Sequence, residues 1–483
     1  MMVSSSTGSS PFTEKTLRGY NQDTPLQEPE AVALFDAPEP ASAVDTFVEA
    51  ERHSGLFSAE DVTTLNDTDL LREALKRLVE ELRPVWQNHV NNTPVGCYYV
   101  PCKTPKAPEG VLWVVDLEGN MELIAVDTGE SLWHGTLIPQ AETGEDVEIL
   151  SCHVSPAYQA SPDAPYHYML ACGSSTGMLQ VWSLETETLQ CQPVHQALVC
   201  PEVAHPETLW VEHLAFAHTK VHQPPRVLVI ADKQLRAWDM IGTSVPETPK
   251  ALNFQLKPLR VMAEAPQRIL GLAWSPSSIE HFIVGGYQGL WRCRVGDLQP
   301  HQSYAWPGVM LNTHWSSDSK YIACGCQDTS LHMWEVKSGK DFRMRGFQGK
   351  VNTLAWHPHH LTLAASGGND ISLWDCTGTG PAEKVPLQLL GHLNAVRSLA
   401  YSPTGRWLAS GGEDGEVLVW DTQSPTPVPG SPEDDPLYLP LLRVDSELLN
   451  PDHTSVTHLQ WHEQGLLIAY EDGLLGYVGL TLA

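Results

Sequence analysis

Histidine is the residue type that first suggests chemistry here: the chain carries 21 of them. The densest group is Trp356-His357-Pro358-His359-His360, and imidazoles this close invite a metal. Zinc sites want three or four converging ligands, however, and His359 and His360 are sequence neighbours whose side chains diverge in extended backbone. Cys324-Gly325-Cys326, and Cys97 with Cys102, offer thiols without the paired C-x-x-C spacing that makes a zinc site. For acyl, phosphoryl or metal-assisted hydrolysis the chain has no G-x-S-x-G elbow, no phosphate-cradling glycine loop and no H-E-x-x-H. The expectation is a protein without catalytic residues, cofactor or small-molecule substrate. His357, His359 and His360 are the positions to examine if a metal is held at all, and solvent-exposed turn histidines are the simpler account of them.

What positions these residues is a repeat. Its clearest copy is GHLNAVRSLAYSPTGRWLASGGEDGEVLVWD, Gly391 to Asp421. Val396, Leu399 and Tyr401 predict a first strand, Trp407 to Ala409 a second, and Val417, Val419 and Trp420 a third. Ser402-Pro403-Thr404-Gly405 and Gly411-Gly412-Glu413-Asp414-Gly415 supply the turns, since Pro fixes φ and Gly tolerates positive φ. Weaker copies recur, with turn markers at Asp116, Thr176, Asp232, Gln288, Asp328, Asp370, Asp414 and Asp472. Eight units at roughly 40 to 60 residue spacing read as the blades of a β-propeller.

The Gly-His opening and Trp-Asp ending resemble the WD repeat of the transducin β-subunit type. The resemblance implies an all-β WD-type propeller of seven or eight four-stranded blades, seven being the usual number. It also implies a buried hydrogen-bonded set of His392, Ser410, Asp414 and Trp420, a fold signature rather than a catalytic triad. In the copy around Trp374, Phe347 stands where that histidine would fall, so its network must be incomplete or satisfied by water. Residues just before each turn acid face the narrow end of such rings, which makes Ser175, Gln327, Asn369 and Glu413, with Asn394 beside the Gly-His loop, the candidate partner-binding rim. Their unlike chemistry fits a partner protein or peptide better than one shared small ligand.

The chain of 483 residues has 58 acidic and 29 basic residues, for a net charge of −29. Charge of this sign repels phosphate backbones and anionic lipid surfaces, so no nucleic-acid partner is expected. Ten scattered cysteines, mostly within predicted strands, read as reduced thiols. The opening MMVSSSTGSSPFTEK has no apolar core of signal-peptide length, and no apolar run reaches the roughly 18 residues of a membrane span. A cytoplasmic protein is the expectation.

Three segments lie outside the repeat. Residues 1–57 read as a disordered acidic arm. In 58–92, Leu71, Leu75, Leu78 and Leu82 recur at helical spacing behind Asn66, Asp67 and Thr68 as caps, predicting an amphipathic helix ended by Pro84, then a linker. The propeller is then expected over 93–483, with a Pro-rich loop at 423–440 between two blades. The functional expectation is a non-catalytic protein-interaction scaffold or assembly subunit working through the rim and loops. Two alternatives stand beside it: a metal-handling propeller using His and Cys, and a structural subunit of a large complex docked through the leucine-striped helix.

Overall fold

A computed structural model of the protein describes residues 76–77, 79–137, 147–427 (apart from 163, 246–247, 263 and 383) and 437–480 (apart from 463–464), with the backbone of 35–36. The described residues form eight sheets. Their first strands are Pro94–Val100, Ile149–Val154, His213–Phe216, Ile269–Trp274, His314–Trp315, Thr353–Trp356, Val396–Tyr401 and Val456–His462. Each touches the next, and the eighth touches the first, so the ring is an eight-bladed propeller. We number the blades I to VIII in that order. Each of the eight turn markers falls in a different sheet, which decides eight blades over seven.

Second strands are mostly apolar because both faces of a blade are covered by its neighbours. Val111–Asp116, Tyr321–Gly325, Trp407–Gly412 and Gly465–Tyr470 are buried at every position. Blade IV departs from the pattern: one strand, His281–Arg294, passes through Gln288 at φ 64°. Its first half pairs with the inner strand and its second half with the outer one.

Aromatic residues at the ends of the inner strands tie successive blades together. The indole N–H donates to a carbonyl on the preceding blade from Trp274 to Ala215 (2.9 Å), Trp315 to Ala273 (3.3 Å) and Trp461 to Ala400 (2.8 Å). Among the described residues, the matching groups of blades VI and VII, Trp356 Nε1 and Tyr401 Oη, are buried without a hydrogen-bond partner.

The chain before residue 93 corrects the sequence reading. Blade VIII has three strands of its own, and Pro84–His89 supplies the fourth by pairing antiparallel with Leu474–Gly479. Just before it, Glu80–Leu82 pairs in parallel with Leu442–Val444 of blade VII. The end of the segment assigned to helix and linker is therefore strand, and Leu82 belongs to the sheet. The cause is non-local: an incomplete last blade exposes a row of backbone groups that an N-terminal strand satisfies. Pro84 fits because it opens an edge strand, where no ladder donor is lost. Lys76 and Arg77 are helical; Leu71, Leu75, Leu78 and the caps lie outside the described residues, as does the 1–57 arm except for the backbone of Phe35–Asp36. That pair adds in parallel to Met344–Arg345 of blade V.

The Pro-rich segment also differs from expectation. It lies within blade VII, between its third strand Val417–Asp421 and its outer strand Leu442–Val444, rather than between blades. Its flanks are strands: Thr426–Pro427 pairs with Leu437–Leu439, which extends blade VI in parallel through Gln388 and Leu389. Proline is compatible because this hairpin is the sheet's outermost edge. Residues 428–436 lie outside the described residues.

Candidate functional site

The end of the ring that carries the second-to-third-strand turns is where polar residues gather. In blade VII, His392 Nε2 lies 2.6 Å from Ser410 Oγ, and His392 Nδ1 lies 3.2 Å and 3.3 Å from the two Asp414 oxygens. Asp414 also accepts from the backbone N–H of Leu393 at 2.8 Å and Glu416 at 3.1 Å. Burial alone would raise its pKa, but the His392 charge and these hydrogen bonds outweigh it and hold the carboxyl below its ordinary value. Gly412 leaves the necessary room, since a Cβ there would stand 2.2 Å from Asp414 Oδ1 and 2.6 Å from His392 Nδ1. Trp420 is buried with its ring centroid 6.1 Å from that of His392, but its Nε1 has no hydrogen-bond partner among the described residues. The set therefore closes as three hydrogen-bonded residues and one packed indole.

Other turns hold their acids with what their sequence provides. Asp116 accepts from the side chain of Asn120 at 2.9 Å. Asp328 accepts from Ser330 at 2.5 Å and Arg343 at 2.9 Å. In blade VI, Phe347 packs 6.5 Å from Trp374 and offers no donor, so Gln348 Nε2 reaches Asp370 at 3.1 Å instead. Burial dominates there. It pushes Asp370 up to about 7, against the opposing hydrogen bond from Gln348 and charge of His392. Trp374 Nε1 has no hydrogen-bond partner among the described residues.

The five rim residues occupy three kinds of place. Gln327, Asn369 and Glu413 sit on consecutive blades V, VI and VII, whereas Ser175 is on blade II, away from them around the ring. Ser175 Oγ accepts from Glu148 N at 3.1 Å, and Glu413 pairs with Arg397 at 2.6 Å. Gln327 and Asn394 are exposed, and Asn394 N lies 3.4 Å from Asp414. Asn369 Oδ1 is buried without a partner among the described residues. Sequence reasoning missed Trp210, 53% exposed, and Tyr287, 43% exposed, on the same end of the ring over blades II to IV. The available signal was an aromatic in a loop and another in a turn, with no role in the repeat.

The histidine cluster is held by packing and backbone contacts. His357 is 5% exposed, which corrects the expectation of an exposed turn residue: it packs 5.1 Å from the Tyr401 ring and against Gly405 of the next blade. Its Nδ1 accepts from the backbone N–H of His359 (3.0 Å) and His360 (2.9 Å). His359 Nε2 lies 2.8 Å from the Pro403 carbonyl. Among the described residues, no three His, Cys, Asp or Glu side chains group as a metal site requires. Cys324 and Cys326 are buried, and burial raises the pKa of both thiols. No described helix is long and apolar enough to cross a membrane.

Comparison with known proteins agrees with this geometry. A family model described as "WD domain, G-beta repeat" matches residues 299–335, 341–375 and 384–421. The chain is 28% identical over 182 residues to the anaphase-promoting complex subunit cdc20 of Dictyostelium discoideum, covering 35% of this chain and 36% of that protein. It is 31% identical over 134 residues to the U5 small nuclear ribonucleoprotein 40 kDa protein of the same organism, covering 27% and 34%. It is 35% identical over 101 residues to the target of rapamycin complex subunit wat1 of Schizosaccharomyces pombe, covering 20% and 31%. The chain thus spans about a third of the length of these curated relatives. Among solved structures, the C-terminal WD40 domain of Sif2 superposes with a TM-score of 0.56 at 13% identity, covering 84% of this chain and 99% of that one. The computationally designed Ika8 protein gives 0.55 at 16% identity, covering 83% and 100%. Repeat grammar, eight closed blades and these matches agree: the chain is an eight-bladed β-propeller carrying WD40 repeats.

Proposed function

We propose that this chain is a non-catalytic, cytoplasmic interaction scaffold or assembly subunit that binds protein or peptide partners through the turn-bearing rim. One observation carries the reading. On blades V, VI and VII, Gln327, Asn369 and Glu413 stand just before Asp328, Asp370 and Asp414, and each of these acids accepts a hydrogen bond from its own blade or the loop entering it. What faces outward is chemically varied side chains on a fixed frame, which suits recognition of an irregular protein surface. The family is generally non-catalytic, and relatives named as subunits or cofactors of complexes support the same reading. The metal-handling alternative loses its motive where His357 Nδ1 accepts two backbone N–H groups.

The test compares the intact chain with a Gln327→Ala, Asn369→Ala, Glu413→Lys, Asn394→Ala variant, each recovered from its native cells with its bound proteins. The expected result is a protein recovered at fixed stoichiometry with the intact chain and lost from the variant, at an unchanged unfolding midpoint. Equal recovery by both, or a dialysis-resistant metal with no protein partner, overturns the proposal.

A further inference from the structure

Two large aromatic side chains stand exposed on the rim on either side of an ion pair. The loop after blade II lies over that blade's turn: Val211 N donates to Ser174 O at 3.1 Å, and the Leu209 carbonyl is 3.1 Å from where a Cβ of Gly177 would be. This loop holds Trp210 outward, next but one to Glu212. Glu212 takes Arg268 through both carboxylate oxygens at 2.7 Å and so joins blade III to blade IV. The Arg268 carbonyl abuts Gly286, whose neighbour is Tyr287. Glu212, Asp232 and Tyr287 all act on the Arg268 charge, which groups these four, and Trp210 stands two residues before Glu212 at their edge. Trp, Tyr and Arg are the residue types that carry most binding energy at protein interfaces.

The charge around the patch indicates what it takes. Arg268 is paired with Glu212, and Arg236, at the start of the third strand of blade III, with Glu202. Glu207, 59% exposed in the same loop, faces His205 at 3.3 Å, and Asp232 sits on the turn of blade III. Both arginines are matched and Lys233 is set beside Asp232, so Glu207 and the exposed Glu264, bridged to Gln234, leave the surplus beside the aromatics negative. An apolar side chain placed between Trp210 and Tyr287 would carry a neighbouring cation towards that surplus.

We propose that the Trp210–Tyr287 patch is a docking site for a partner segment bearing an apolar side chain next to Lys or Arg. This rests on the scaffold reading above and adds a place and a chemistry to it. A synthetic array of short peptides, pairing Leu, Ile, Phe or Trp with Lys, Arg, Asp or Glu, is probed with the full chain. Affinities of the selected peptides are then measured by fluorescence anisotropy. Basic–apolar peptides bind, and Trp210→Ala and Tyr287→Ala each weaken them by about tenfold or more. Val385→Ala, at a 63% exposed site, leaves them unchanged. Glu207→Lys weakens them without touching an aromatic, which keeps the test valid if an aromatic truncation disturbs folding. Equal binding of acidic peptides overturns the proposal. Binding that survives both aromatic truncations but falls with Asn369→Ala overturns the patch and leaves the rim reading standing. A chain that binds none of the peptides, yet loses its partner in the rim experiment, also overturns the patch alone.

Discussion

Replacing Trp86 by alanine should loosen the closure of the ring. Trp86 lies in Pro84–His89, the strand that completes blade VIII, and its Nε1 donates to the Val126 carbonyl of blade I at 2.7 Å. Its ring stacks 6.0 Å from Tyr477 at 29° and sits 2.6 Å from the position a Cβ of Gly129 would take. One side chain thus touches its own blade and the next. Truncating a fully buried Trp costs about 3–5 kcal/mol. Trp86 is half-buried, so about 2 kcal/mol of packing is lost, and the hydrogen bond adds about 1 kcal/mol. Urea unfolding should therefore show a stability loss of about 2–3 kcal/mol for Trp86→Ala. Val85→Ser, on the same strand but 59% exposed, should change stability by less than about 0.5 kcal/mol. Removing residues 1–92 deletes the strand altogether and should abolish a single cooperative transition. Equal effects of the two substitutions, or an unchanged transition in the truncated chain, would refute the closure argument.

Other consequences follow from single contacts. Trp461→Phe removes the bond to Ala400 and should cost about 1 kcal/mol, whereas Trp356→Phe removes an unpaired indole N–H and should be neutral or slightly stabilising; unfolding midpoints compare them. His392→Ala leaves Asp414 buried without its imidazole and should cost about 3 kcal/mol, measured the same way. Asp370 has a folded pKa of about 7, raised above the unfolded value near 4, so its ionised form is disfavoured in the fold. The destabilisation is absent below about pH 4, grows to pH 7 and is complete above it. Asp370→Asn should therefore stabilise by about 1–2 kcal/mol at pH 8, after discounting for the solvent reaching this turn, and converge on the parent near pH 4 in a pH series of unfolding midpoints.

The blades were legible because each needs a tight turn between strands buried on both faces, and Asp, Gly or Thr at that turn is a local signal. His392, Ser410 and Asp414 could be placed because the repeat around that turn resembles the WD type, which implies such a buried set. Trp420 was placed too, but its missing hydrogen bond depends on ring orientation, which no spacing encodes. The strand at Pro84–His89 was not legible, because the groups that make it a strand lie at the other end of the chain, in Leu474–Gly479. Leucines at helical spacing ahead of it made a helix the better local reading. Pro425, Pro427 and Pro440 hid edge strands, since proline is compatible with the outermost edge of a sheet and nothing in sequence marks a strand as outermost. Trp210 and Tyr287 escaped notice for the opposite reason: an exposed aromatic in a loop looks like any other until burial is known.

The segment 80–89 forms ladders on two blades, and the two attachments can be separated. Pro84–His89 is held on blade VIII by a ladder and by the stacking of Trp86 on Tyr477. Glu80–Leu82 is held on blade VII by a shorter parallel ladder and by Arg443, whose side chain is 8% exposed and pairs with Glu81 and, at 3.6 Å, with Glu416. Arg443→Met keeps the stem's bulk but removes the charge. Glu416 retains its hydrogen bond from Ser446 at 2.8 Å, so the loss should fall below that of a fully buried broken pair, at about 2–3 kcal/mol. Amide hydrogen exchange should then become fast at Glu80–Leu82 and stay slow at Pro84–His89, because the blade VIII ladder does not involve Arg443. If the two strands exchange together in the variant, the segment is one cooperative unit. Closure of the ring would then depend on blade VII as much as on blade VIII.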